Sequence, residues 1–232
     1  MADGVKSDKL KALFQEGRSR SYQKNEIIIR AEDDPQGVYF IETGLLKIYS
    51  LTKQGDEHVT HFFGPGDFFP MIWIFRDQMR NVYYEAIEPV TVRIISKSSF
   101  LSLVNKNQDV MFELLEEMVQ RYLRYAGRID NLLYSDARER CAFRLLSLAN
   151  RFGQKTPEGT VINANITHED MAHSINMTRE TFGRSLGRLQ KRGVISYDDQ
   201  HHLVVKDLMS LVNTIGQDES TIMWPDLMKF ID

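Results

Sequence analysis

The stretch "MTRETFGRSLGRLQKRGVI", Met177 to Ile195, gathers Arg179, Arg184, Arg188, Lys191 and Arg192 around the single acid Glu180. A guanidinium can give two parallel hydrogen bonds to O6 and N7 of guanine, and a carboxylate can accept from the amino group of cytosine. Against phosphate alone a carboxylate costs affinity, so Glu180 beside Arg179 fits a base edge better than a sugar–phosphate backbone. The same charges would also suit a plain solvated helix face, since such faces are common. The flanking residues decide between the two.

Phe182, Leu186 and Leu189 stand at i, i+4 and i+7 and form one apolar stripe. Glu180, Arg184 and Lys191 fall opposite it, with Arg179 at the side of the first turn. Thr178 is placed to cap the helix start and Gly193 to stop it. Upstream, "NITHEDMAHSIN" offers Thr167 as another N-cap, with Glu169 and Asp170 in the first turn and Met171, Ala172 and Ile175 as an inner face. A break at Asn176 and Met177 joins the two segments, which makes a helix-turn-helix. After Gly193, "VISYDDQHHLVV" reads as two short strands around a polar tip at Asp198 to His202, a wing. A helix whose basic outer face carries reading groups near its N-terminus is what a DNA major groove requires.

The chain has 232 residues, 42% hydrophobic, enough for two ordinary domains. Its net charge is -3, so DNA binding must come from local charge. Cys141 is the only cysteine, which excludes an internal disulfide and a four-cysteine iron–sulfur cluster. It sits in an amphipathic segment and reads as a core thiol. No apolar run approaches the roughly 20 residues of a membrane span. "MADGVKSDKLKALF" lacks the apolar core of a signal peptide, so a soluble, cytoplasmic protein is expected.

Residues 1–20 read as a short amphipathic helix on Leu10, Leu13 and Phe14. From about 21 to 100, short β-branched and aromatic runs alternate with turn signals, with glycines at 37, 44, 55, 64 and 66 at the corners. That pattern predicts an all-β sandwich or barrel. Over 108–134, Met111, Leu115, Met118, Tyr122, Tyr125, Ile129 and Leu132 alternate spacings of four and three. This heptad seam predicts a parallel homodimer. Residues 136–152 form another amphipathic helix, with Ala142, Leu145, Leu146, Ala149 and Phe152 inward and Gly153 at its end. "TPEGTVINANI" reads as a loop with one short strand, "KDLMSLVNTI" as a short helix, and "TIMWPDLMKFID" as an apolar tail able to add a helical turn.

A glycine-punctuated β domain, a long dimer helix and a C-terminal winged helix-turn-helix, in that order, resemble the CRP/FNR family of bacterial transcription regulators. The resemblance spans nearly the whole chain. Its most specific part is "TRETFGR", Thr178 to Arg184, similar to the reading segment of cyclic-AMP-responsive members. The resemblance implies an α+β fold: a jelly-roll sensor of the cyclic-nucleotide-binding type over 1–107, a dimerisation helix over 108–135, and a winged helix-turn-helix with a C-terminal extension over 136–232. It implies that Arg179, Glu180 and Arg184 read a TGTGA-like palindrome, with Thr167, Thr178, Arg188 and Lys191 as further DNA contacts. The implied partners are double-stranded DNA, a second copy of the chain and RNA polymerase.

The sensor departs from the cyclic-AMP pattern. In "DFFPMIWIFRDQMRNVYY" the family's Gly, Glu, Arg and Ser positions hold Pro70, Met71, Asn81 and Val82. Arg80 lies one place away, and in a strand that shift points to the other face. On the dimer helix, the pair that meets adenine aligns with Tyr125 and Ala126. A phosphate diester needs a bidentate arginine or a nest of donors, and neither is evident. What remains is apolar and aromatic: Phe69, Met71, Trp73, Val82 and Tyr84, with Tyr122 and Tyr125 from the helix. This set would hold an uncharged apolar effector or form a filled core. No cofactor is expected. His58 and His61, three apart on a strand, should face opposite ways and so make a poor metal or haem site. No nucleophile elbow or phosphate-cradling loop suggests an enzyme. A cyclic-nucleotide-responsive activator and a non-sensory, chromosome-organising dimer are the alternatives.

Overall fold

The computed structural model describes residues 8–78 and 81–215. The chain divides into two compact units that meet between Glu117 and Met118.

The first unit begins with helix α1 (Asp8–Gln15), shorter than the 1–20 expected. Gly17 ends it: its N–H bonds to the Phe14 carbonyl, and a Cβ there would lie 2.8 Å from the Ile94 carbonyl. Strand β1 (Arg18–Tyr22) comes at once, then β2 (Ile27–Ile29), β3 (Val38–Thr43), β4 (Leu46–Leu51), β5 (Glu57–Phe63), β6 (Phe68–Phe69), α2 (Met71–Arg76), β7 (Tyr83–Ala86) and β8 (Val90–Ile95). Two four-stranded antiparallel sheets result, ordered β1-β8-β3-β6 and β2-β7-β4-β5. Gly44 turns β3 into β4 at φ +84°, where a Cβ would strike the Pro89 carbonyl at 2.1 Å.

Period-two alternation divides the aromatic residues between two cores. Phe69 points between the sheets with Tyr39, Phe63, Val82 and Tyr84. Its neighbour Phe68 points the other way, into a layer built with Phe14, Val38, Ile74 and Phe100. That layer is closed by α1, α2, α3 (Lys97–Lys106) and the start of α4 (Gln108–Tyr134). The β region therefore ends at Ile95, with Ser96 capping α3, rather than near residue 100.

Helix α4 has the length the heptad pattern predicts. The expected seam is exposed at five of its seven positions. Among the described residues Phe112, Leu115, Val119, Tyr122, Ile129 and Leu133 are exposed, as are Met111 and Tyr125. Met118 and Leu132 are half-buried instead. The exposed apolar residues thus follow two overlapping heptad lines that share Leu115, Tyr122 and Ile129.

The second unit continues with α5 (Ala137–Phe152), opened by a capping box between Asp136 and Glu139. Cys141, Ala142, Leu145, Leu146 and Ala149 are buried, and Phe152 is half-buried. The segment expected to be a loop with one strand is a hairpin, β9 (Gly153–Thr156) and β10 (Gly159–Ile162). Then come α6 (His168–His173), α7 (Arg179–Lys191), β11 (Ile195–Tyr197), β12 (Leu203–Val205) and α8 (Leu208–Thr214). The sheet order β11-β12-β10-β9 joins the wing to the hairpin. The expected helical turn in "TIMWPDLMKFID" lies outside the described residues, as does Arg80. No helix among the described residues is long and apolar enough to cross a membrane.

Candidate nucleic-acid interface

The two helices of the motif are fixed by their caps. The Thr167 hydroxyl accepts from the Asp170 N–H at 3.0 Å and donates to the Asp170 carboxylate at 2.6 Å. Five residues separate α6 from α7, with Asn176 in the left-handed region at φ 52°. Thr178 caps α7 by accepting from the Thr181 N–H. At the far end the Val194 N–H reaches the Leu189 carbonyl and the Gly193 N–H the Gln190 carbonyl, a Schellman stop with Gly193 at φ +74°.

Phe182, Ser185, Leu186 and Leu189 are buried on the inner face of α7. Arg179, Glu180, Arg184, Arg188 and Lys191 are all exposed, as are Thr167 and Thr178. A hydroxyl relay orients Arg184: Thr178 Oγ1 donates to Thr181 Oγ1 at 3.1 Å, and that oxygen accepts from Arg184 Nη2 at 3.1 Å. Sequence reasoning misses Thr181, although its spacing of three residues from both partners is a usable signal.

The Glu180 carboxyl is held below the usual carboxylate range by its own backbone N–H and by Thr178, then by the charges of Arg179 and Arg184. It stays an acceptor at neutral pH. His168, at the start of α6, meets the wing: its Nε2 lies 3.2 Å from the Tyr197 hydroxyl. Burial, and then the Arg179 charge, lower its proton affinity. Tight caps, a sealed inner face and ionised groups on the outer face form a surface that complements a negatively charged, base-edged groove.

Within the first unit the expected sensor residues fall in two clusters. Phe69, Val82 and Tyr84 lie between the two sheets, whereas Met71 and Trp73 pack against the helical layer. The chain stops being a strand at Pro70 and enters α2, so strand alternation does not carry past Phe69. Tyr122 and Tyr125 are exposed on α4. Between the sheets Tyr39, Phe69 and Tyr84 stack in sequence, with centroids 5.1 and 4.9 Å apart and planes within 14°. Burial pushes the Tyr39 hydroxyl's pKa up.

The two histidines of β5 do not face opposite ways as expected. Thr60 is an extra residue in β5, so His61 stands opposite Ile48 and His58 opposite Ser50. Ile48 and Ser50 share one face of β4, and the bulge therefore brings both histidines to the same side. His61 packs edge-on against Phe63. Among the described residues no group of three or more His, Cys, Asp or Glu side chains is placed to hold a metal ion.

Residues 19–107 match the cyclic nucleotide-binding domain, and residues 139–214 match the Crp-like helix-turn-helix domain. The chain belongs to the CRP/FNR family of transcription regulators. Its similar relatives include the anaerobic regulatory protein of Bacillus subtilis, 25% identical over 88% of this chain and 86% of that protein. The cAMP-activated global transcriptional regulator CRP of Pasteurella multocida is 27% identical over 75% of this chain and 84% of its own length. Among solved structures, FixK2 from Bradyrhizobium japonicum superposes with a TM-score of 0.76 at 24% identity, over 87% of this chain and 98% of that one. The protein is thus a CRP/FNR-type regulator with a helix-turn-helix DNA-binding domain and a cyclic-nucleotide-binding-type domain.

Proposed function

We propose that the protein is a cytoplasmic homodimer that reads a TGTGA-like palindrome through Arg179, Glu180 and Arg184 and acts on RNA polymerase. The observation that carries this reading is the ordering of α7: a sealed inner face, an outer face of exposed Glu180, Arg184 and Lys191, and a Thr178–Thr181 relay that holds Arg184 ready. Arg179 and Arg184 address guanines and Glu180 a cytosine. Arg188 and Lys191, with the cap residues Thr167 and Thr178, contact the phosphates. Residues 1–107 form the sensor, 108–135 the dimerisation helix and 136–232 the DNA-binding domain. A dimer supported by the exposed stripe of α4 places two recognition helices in successive major grooves.

The stack of Tyr39, Phe69 and Tyr84 supports a sensor interior filled by its own side chains, with no cyclic nucleotide required. The match of residues 19–107 to a cyclic nucleotide-binding domain favours a second reading, a cyclic-nucleotide-responsive activator. Fluorescence anisotropy with a TGTGA–TCACA duplex and a scrambled control, with and without cyclic AMP, separates them. Selective binding without ligand is expected. Selectivity only with cyclic AMP establishes the second reading. Failure to prefer the palindrome in either state refutes the proposed half-site. Arg179→Ala should relax preference at one base pair and cost about 1–3 kcal/mol there; an unchanged profile in a randomised-site selection refutes its role.

A further inference from the structure

The turn between α6 and α7 is satisfied on its donor side by the chain itself. The Ile175 N–H and the Met177 N–H both reach the Ala172 carbonyl, and the Ser174 hydroxyl donates to the Met171 carbonyl at 2.6 Å. That leaves the carbonyls of Ser174, which caps α6, and of Ile175, the next residue of the turn. Both are taken by cations from outside the motif. Arg128 Nη2 on α4 donates to the Ser174 carbonyl at 2.6 Å, and Arg140 Nη1 on α5 donates to the Ile175 carbonyl at 3.3 Å. Both guanidiniums are half-buried and Ser174 is buried, so water competes poorly for these contacts. A cation at a helix C-terminus is also favoured by the helix dipole.

These two carbonyls stand directly before the base-reading helix. Ile175 is three residues ahead of Thr178, the cap of α7, and four ahead of Arg179. Asn176, in between, sits in the left-handed region, which asparagine adopts more readily than most residues with a side chain. Arg128 is next in sequence to Ile129, one of the exposed apolar residues of α4.

The geometry points to Arg128 and Arg140 as positioning residues for DNA reading: from α4 and α5 they grip consecutive carbonyls of the helix-turn-helix turn and fix where α7 presents Arg179 and Glu180. This rests on the reading of α7 as the base-reading helix. Neither arginine needs to touch DNA. Their contribution is pre-organisation: with the turn already held, less ordering remains to be done when the base contacts form. Sequence-blind phosphate binding, which tolerates many orientations, does not need them. A displacement of α4 would reach the turn before α7 through the Arg128 contact.

The test uses the full chain with Arg128→Met, which keeps length and removes the donors, and Arg128→Lys and Arg140→Lys, which keep one cation each. Hydrogen exchange on the free protein reads the clamp without DNA. Arg128→Met is expected to speed exchange of the amides from 174 to 182 about tenfold while the interior of α5 and the β10–β12 pairing keep their protection. Competition between a duplex selected by the parent protein from a random pool and a scrambled duplex reads the function. The ratio of the two affinities is expected to fall about tenfold in Arg128→Met, with the scrambled-duplex affinity unchanged, and Arg128→Lys is expected to recover most of the ratio. If Arg128→Met does not fold, the two lysine variants carry the test, with a smaller loss of the same ratio expected. Unchanged exchange at 174–182, faster exchange spread over the whole unit, or an equal loss on both duplexes overturns the inference. A parent protein that selects no sequence refutes the reading of α7 and with it the role in recognition, while the exchange result still decides whether the clamp holds the turn.

Discussion

Replacing Leu133 by alanine separates two registers of α4. Complete burial of a leucine side chain is worth about 1.5–3 kcal/mol. Leu133 is 68% exposed in the single chain, so about 1–2 kcal/mol is available to a partner helix. A two-fold dimer uses that surface twice. Alanine keeps a minor part of the gain, which leaves a loss of about 2–3 kcal/mol per dimer, or about 30- to 150-fold in the dimer dissociation constant. Leu132 is already half-buried within its own chain, so Leu132→Ala should lower the melting temperature and shift the dissociation constant much less. Sedimentation equilibrium over a dilution series, with thermal melts alongside, measures both. Should Leu132→Ala split the dimer and Leu133→Ala leave it intact, the seam runs through Met111, Met118, Tyr125 and Leu132 and the exposure argument is refuted. Should neither variant change association, the α4 stripe is not the dimer interface.

Arg188→Ala should weaken selected and scrambled duplexes alike and reduce the slope of log K against log salt by about 1, read from binding titrations at several salt concentrations. Thr178→Ala removes the α7 cap and should cost about 1 kcal/mol of stability by denaturant titration, and it frees the Thr181–Arg184 pair from the relay. The Cys141 thiol is pushed up to about 12 by burial, so it should resist a thiol reagent at pH 8 until the protein is denatured. The folded state holds that proton more tightly than the unfolded chain, whose thiol titrates near 9. Its contribution to stability is therefore complete below about pH 9 and is lost as pH rises toward about 12, and Cys141→Ala should flatten that limb of the stability profile.

The helix-turn-helix half is legible in the sequence because its signals are local. The caps Thr167, Thr178 and Gly193 act within a few residues, and the i, i+4, i+7 stripe of α7 needs no knowledge of the rest of the chain. The sensor half depends on which strands pair, and there the sequence misleads at identifiable points. Met71 and Trp73 part from Phe69 because Pro70 ends the strand and α2 begins at Met71, and proline at the threshold of a helix is a start signal. Counting residues puts His58 and His61 on opposite faces, whereas the extra Thr60 in β5, visible only once β4 pairs with it, brings them to one. β9 escapes a sequence reading because "GQKT" carries no apolar alternation; it is an edge strand that owes its existence to β10.

The clamp belongs to the same class. Arg128 and Arg140 look like ordinary helix charges in sequence, and only the fold brings them to the two carbonyls before Asn176. On the proposed reading, the contacts to bases are written into one helix, while the groups bonded to the turn before it come from segments 46 and 35 residues away along the chain. Exchanging the α7 reading residues should therefore move base preference without disturbing the turn. Exchanging the arginines should loosen the turn without changing which bases are preferred, because the side chains that meet the bases are still present.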